Sequence, residues 1–386
     1  MKRLLLILFF ALSSCVNKET KDQPTSQTMS RAEWQMEMRK VGQSFSTILP
    51  FVFRSGAFSA PENHEQILEN LQSLAKSTRE LHFHKIKFDN DPILEYVARD
   101  FNQSSTLARD EFKRGNKSFA RLLILNTSNY CISCHTRNDQ GTRNVALFAE
   151  PNLATLRPIE KGNYFTAIRQ YDKALDEFDH ALTNKEFSEQ FPREWLGGIK
   201  KTLAIAVRVN RNPGVALEAV SRINDAKSVP QSTKEFAVVW RAAIKEWQKN
   251  NEPVGAATLT VAKQLIEKGQ SLNYKMASPE AGLVHFLRAS TLLHDYLNQK
   301  KRAKLYVEAM YLAGMAAEGL KEINLWTFDE YYYEACVRTA PHSEMAKKCF
   351  TRYESLSVFS NKYLDDQSLV PTSVMDKVND LRKLAL

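Results

Sequence analysis

The sequence predicts an all-α protein, and three observations carry that expectation. Glycine and proline, thirteen each among 386 residues, are too sparse for a turn-rich β chain or a collagen-like one. Hydrophobic residues at 43% and charged residues at 25% are ordinary globular values and disfavour long disorder and a multi-span membrane protein. Apolar residues recur at steps of three and four along successive segments, the period of one helix face. The length suggests two or three domains of common size. The net charge of +9 includes Lys2 and Arg3; the remaining +7 is mild and gives no reason to expect a nucleic-acid partner.

Met1–Cys15 reads MKRLLLILFFALSSC, two cations followed by an apolar run from Leu4 to Leu12 and then small residues. That run is too short to cross a hydrocarbon core of about 30 Å as a helix, so it reads as a signal peptide. Leu12-Ser13-Ser14-Cys15 resembles the bacterial lipobox. The resemblance implies cleavage before Cys15, diacylation of its sulfur and acylation of the new amino terminus; the alternative is an ordinary signal peptide that contains a cysteine. Residues 1–14 are then a leader and 15–30 an acylated cysteine with a polar, flexible tether. The mature chain is expected on the periplasmic side of a bacterial membrane, lipid-anchored, at the outer membrane in preference to the inner.

Four more cysteines remain: 131, 134, 336 and 349. Cys131-Ile132-Ser133-Cys134-His135 is the CxxCH pattern of covalent c-type haem attachment. Two thiols three positions apart lie on one helical face and can add to the two vinyl groups of one porphyrin, and the adjoining imidazole comes up beneath the iron as proximal ligand. A thioredoxin-like pair would need a βαβ setting, and a structural zinc would need a second pair of ligands; neither is present. Export fits haem, because c-type attachment takes place outside the bacterial cytoplasm. Cys336 and Cys349 flank the turn-like Arg338-Thr339-Ala340-Pro341-His342-Ser343, so a helical hairpin could join them in a disulfide; the alternative is two buried thiols. Such a bridge contributes roughly 3 kcal/mol in the chain-entropy model.

No methionine follows His135 until Met276, so an axial methionine some tens of residues downstream is ruled out. Four amphipathic runs precede the motif instead. Trp34, Met38, Val41, Phe45 and Ile48 form the first stripe, which Pro50 should kink or end. Ile67, Leu71, Leu74, Thr78 and Leu81 form the second, and Leu94, Val97, Phe101, Ala108 and Phe112 the third. Phe119, Leu123, Asn126, Tyr130 and Cys134 form the fourth, which sets Cys134 toward the same core as Phe119. Four such stripes bury one another most simply as a helix bundle. With CxxCH at the end of its last helix and Tyr130 just before it, the stretch of about 31–140, within an expected four-helix-bundle haem domain over 31–150, resembles the class II c-type cytochromes, the cytochrome c-prime family and its low-spin relatives. Met38-Arg39-Lys40-Val41-Gly42 is similar to the Met-Lys-x-x-Gly of the low-spin members, although Arg39 is an extra residue and no arginine precedes the haem motif. The resemblance implies one covalent haem c and, in the low-spin form, Met38 as sixth iron ligand. From the residues alone Met38 is also ordinary core filler, His64, His82 and His84 are rival imidazoles, and an open sixth position is a further alternative.

Residues 151–386 carry no second haem motif and no catalytic signature. Gly162–Leu175 resembles the second half of a tetratricopeptide repeat. Helical runs follow at Glu235–Asn250, Val254–Gly269, Pro279–Asn298, Lys301–Gly319, Leu325–Thr339 and Ser343–Ser360. The expectation is a tetratricopeptide-like helical domain over 151–386 that offers a surface to a protein partner. Trp326, Phe328, Tyr331, Tyr332 and Tyr333 suit either hairpin core or a contact face, and His180, His285, His294 and His342 show no partner spacing. The expected function is single-electron transfer to a periplasmic redox partner protein. The alternative is haem-based binding or sensing of a small gas, and an enzyme is not expected.

Overall fold

The computed structural model describes residues 28–83, 85–86, 92–135, 153–250, 255, 257–299, 305–321, 328–362 and 372–386; for 85–86, 129–135, 299, 358–362 and 373 it describes the backbone alone. The leader, Cys15, most of the tether, His84, Trp326 and the expected boundary near 150 lie outside the described residues. Among the described residues the protein is all-helical, apart from one parallel pairing of β1 (Thr28–Met29) with β2 (Lys85–Ile86).

The first long helices are α1 (Arg31–Phe53), α3 (His64–Phe83), α4 (Leu94–Lys113) and α5 (Lys117–His135), with the short α2 (Ser55–Ser59) after α1. Each packs on the next in chain order, and α5 returns to α1 and α2. Their buried faces are the stripes of the sequence: Val41, Phe45 and Ile48 on α1; Ile67, Leu71, Leu74, Thr78 and Leu81 on α3; Val97, Phe101, Ala108 and Phe112 on α4. Burying one such side chain contributes about 1.5–3 kcal/mol. Phe58 meets Phe112 edge to face at 5.3 Å, and Phe45 lies 6.1 Å from Phe101.

Of the two outcomes expected at Pro50, a kink or an end, the end does not occur: α1 continues to Phe53 and stops where Arg54 turns extended. The buried line of α5 is Ala120, Ile124 and Thr127, while Phe119 is 47% exposed and Asn126 faces solvent. A three-and-four period admits two neighbouring stripes on one helix, and the small side chains, which allow close helix approach, take the inner one here.

The rest is a succession of helices packed mainly on their chain neighbours: α6 (Pro158–Ala167), α7 (Tyr171–Thr183), α8 (Lys185–Gln190), α9 (Pro192–Arg208), α10 (Pro213–Asp225), α11 (Gln231–Lys249), α12 (Ala257–Lys275), α13 (Leu283–Gln299), α14 (Tyr306–Glu318), α15 (Asp329–Thr339), α16 (Glu344–Lys362) and α17 (Thr372–Ala385). The segment resembling half a tetratricopeptide repeat is not one helix. It is divided at Ile168–Gln170, where Arg169 takes a φ of 69°, and Gly162 sits inside α6 rather than in a turn. A Cβ at Gly162 would fall 2.5 Å from the Phe178 ring of α7, so this glycine permits a close helix crossing. Helices α8, α9, α10 and α17 were not among the expected runs. The signals for the first three were a side-chain cap from Asn184 on α8, Pro192 opening α9, and Pro213 opening α10 behind a capping Asn212.

Cys336 on α15 and Cys349 on α16 are joined in a disulfide, with Cα atoms 6.3 Å apart. Phe328, Tyr331, Tyr332 and Tyr333 are buried, so this aromatic cluster is core. Glu334 on α15 is 1% exposed and is held by Lys377 at 2.6 Å, Arg338 at 3.1 Å and Arg99 of α4 at 3.7 Å. Tyr331 donates its hydroxyl to Asp100 of α4 at 2.5 Å. The last helices therefore close onto the outer face of α4.

His285, on the buried face of α13, is pushed down to about 4 by desolvation, with Lys268 and Arg288 adding to the effect and Glu246 opposing it. Above pH 6.5 the imidazole is neutral in both folded and unfolded chains; between 6.5 and about 4 only the unfolded chain takes the proton. Stability is predicted to fall by roughly 3 kcal/mol across that window. Chemical denaturation of His285→Gln beside the parent should show the parent losing more stability on acidification; equal losses would contradict the assignment.

Candidate functional site

The four first long helices alternate in direction. Ser44 of α1 donates to Ser73 of α3 at 3.0 Å, and β1, just before α1, pairs with β2, just after α3. His64 at the start of α3 stacks on Phe112 near the end of α4 at 5.0 Å. The turn at Arg114–Asn116 sends α5 back, with the Lys117 ammonium 5.5 Å from the Phe112 ring. Arg121 of α5 donates to the Val52 carbonyl at 2.5 Å, and Lys117 donates to the Ser59 carbonyl at 2.9 Å. One end of the group therefore collects the starts of α1 and α4 and the ends of α3 and α5.

Helical rise fixes which residues share a level at that end. Fourteen residues from the Arg121–Val52 bond, about 21 Å along each antiparallel helix, lie His135 on α5 and Met38 on α1. Eighteen residues from the His64–Phe112 and Phe112–Lys117 contacts, about 27 Å, lie His82, Leu94 and again His135. Three contacts thus bring Met38 of α1, Leu94 of α4 and the backbone of His135 of α5 to one height, while the direct Ser44–Ser73 bond sets Met38 level with Arg79 on α3 and leaves His82 about one turn farther along. His64 is about 27 Å away at the other end, which removes it as a partner for His135.

The start of α1 is fixed by a capping box: Ser30 accepts from the Glu33 amide at 3.2 Å, and Glu33 accepts from the Ser30 amide at 2.7 Å. Trp34 and Met38 are half-buried against the core, one to two turns before the fully buried Val41 and Phe45. Met36 is 50% exposed and lines a groove of about 560 Å³ between α1 and α3 with Glu33, Lys40 and Ser77, away from the Met38 face.

His82 is half-buried, and its Nδ1 has no hydrogen-bond partner among the described residues. Desolvation, and then the Arg99 charge, hold its pKa below the ordinary histidine value against Glu95 and Asp100. A neutral imidazole keeps a lone pair free for a metal. The motif occupies the last turn and a half of α5, and the side chains of Cys131, Cys134 and His135 lie outside the described part.

At this level the chain assembles a thioether, a neutral imidazole, apolar walls from Ile93, Val97 and Leu81, and the CxxCH backbone. Those residue types fit a porphyrin iron better than a hydrated cation, which would call for carboxylates or several polar oxygens. Sequence reasoning supplied Met38 and His82. It missed the Arg99–Asp100–Tyr331–Glu334 contact, whose members are more than two hundred residues apart and carry no local signal.

The register depends on Arg121. Arg121→Ala is predicted to lower stability by about 1–3 kcal/mol, the scale of a hydrogen bond to a charged group. Urea unfolding measures the change, and an unaltered midpoint would remove this bond from the account.

Among the described residues no helix is long and apolar enough to cross a membrane. No family model matches the chain, and no curated protein or solved structure matches it either.

Proposed function

We propose that the protein is a membrane-anchored, periplasmic monohaem c-type cytochrome that transfers single electrons between protein partners. The observation that carries this reading is the CxxCH motif at the end of α5, level with Met38 of α1 and within about one turn of His82 of α3. Residues 31–150 are read as a four-helix-bundle haem domain and 151–386 as an α-helical, repeat-like domain. Haem c supplies a one-electron iron couple when bound. Cys131 and Cys134 hold the porphyrin through thioether bonds, and His135 supplies the proximal nitrogen. Met38 offers a soft sulfur from the facing helix, a pairing that raises the potential and suits electron transfer. Trp34, Val97 and Leu81 would exclude water from that end. The helical domain, closed onto α4 through Glu334 and Tyr331, presents its outer surface to a protein partner at a fixed distance from the haem.

Haem staining after denaturing electrophoresis should show one coloured band that disappears in Cys131→Ala with Cys134→Ala. Met38→Ala should keep the stain and lose the far-red sulfur-to-iron band. An unchanged low-spin spectrum would move the sixth position to His82, and rapid carbon monoxide binding by the reduced parent would favour the gas-binding alternative.

The lipobox-like Leu12–Cys15 supports acylation at Cys15, and several acyl chains anchor stably because each buried methylene contributes about 0.8 kcal/mol. Radiolabelled palmitate is predicted to label the parent and not Cys15→Ala; equal labelling would refute the anchor.

A further inference from the structure

The outer groove between α4 and α5 is covered along only part of its length. Near the motif, Asp100 receives Tyr331 of α15. Toward the other end of the same groove, Leu107 is 40%, Phe119 47% and Leu122 50% exposed. Leu107 lies five residues back along α4 from Phe112, and Leu122 five residues forward along α5 from Lys117. The Phe112–Lys117 contact therefore sets the two leucines at one height. Phe119 is one turn from Leu122 on the same face of α5. By helix period Leu107 and Phe119 flank the α4–α5 groove and Leu122, one turn on from Phe119, faces outward, so the three share the outer surface of α4 and α5 as an apolar strip. The strip ends at the α4–α5 turn, where Lys113, Arg114 and Lys117 cluster. Arg114 is balanced by Glu111 at 2.6 Å and Asp110 by Arg109 at 2.8 Å, so the two lysines leave the rim positive. Large apolar side chains gathered on a surface and rimmed by cations mark a contact site.

We propose that this strip is a membrane-facing surface, seated in the headgroup region of an anionic bilayer. The choice of lipid as occupant rests on the acylation of Cys15 proposed above. Fifteen residues, 16–30, separate Cys15 from α1, a reach of at most about 50 Å. The strip lies about 30 Å along the helices from the start of α1. The anchor therefore holds the four helices within reach of the surface, and the strip with its lysine rim has the composition of interfacial helix faces, apolar side chains between cations. Seated this way, the α4–α5 turn points into the headgroups and the motif end points away from the membrane, toward partners.

The test uses the full haem-loaded chain carrying Cys15→Ala, so that no acyl chain contributes. It is sedimented with vesicles of phosphatidylethanolamine and phosphatidylglycerol. Partition into these vesicles is expected, weakened by salt, and about tenfold lower when Phe119→Ser and Leu122→Ser are combined. The thermal midpoint and haem spectrum of that variant should match the parent, since both positions are half-exposed. Absence of vesicle binding, or binding unchanged by the two substitutions, would overturn the proposal. So would a concentration-dependent dimer abolished by the same pair, which would assign the strip to a second copy. Palmitate labelling reports separately on Cys15, so the anchor and the strip fail in distinguishable ways.

Discussion

The alternation of four helices, held in register by a few long-range contacts, is the constraint on which the site depends. Hydrophobic stripes alone would bury just as well with one helix slid along another by a turn. The polar ties remove that freedom: Arg121 on the Val52 carbonyl, Lys117 on the Ser59 carbonyl, Ser44 on Ser73 and the capping box at Ser30. A slip of one turn would carry the end of α5 about 5.4 Å along α1, away from the level of Met38. Position, more than the chemistry of any one side chain, makes the end of α5 a candidate site.

The closure of the last helices on α4 gives the protein a second constraint. A carboxylate as buried as Glu334 is costly unless it is well paired, and three cations from α4, α15 and α17 pair it. Such a site favours one arrangement strongly, because removing any partner leaves charge uncompensated in a poor solvent, at a cost of about 3–5 kcal/mol. Arg99 takes part in two environments, contacting Glu334 and Asp100 on one side and depressing His82 on the other. The electrostatics of the motif end and the docking of the C-terminal helices therefore share a residue.

Much of this was legible in the sequence, and the omissions have physical reasons. The stripes of α1, α3 and α4 followed from period alone, since large apolar residues at those steps have nowhere else to go. On α5 the same rule selected Phe119 in place of Ala120, because period does not say whether the bulky or the small residue faces a close neighbour. Gly162 admits the Phe178 ring, an interhelical fact that no local pattern encodes. The helices over 185–225 were marked by Asn184, Pro192 and Asn212-Pro213, and the period was present too, in Trp195, Ile199, Leu203 and Ala206 on α9 and in Ala216, Ala219, Val220 and Ile223 on α10. Within the candidate site, Met38 and His135 were named from sequence. Their common height was not, because it comes from contacts between residues sixty-nine apart in the chain.

Iron and porphyrin content of the purified protein tests the central claim most directly. Made in cells with an active c-type maturation apparatus, the protein should carry one iron per chain and a pyridine haemochrome spectrum of the thioether-linked type that survives acid–acetone extraction. Colourless, iron-free protein from the same cells, or pigment removed by the extraction, would contradict it.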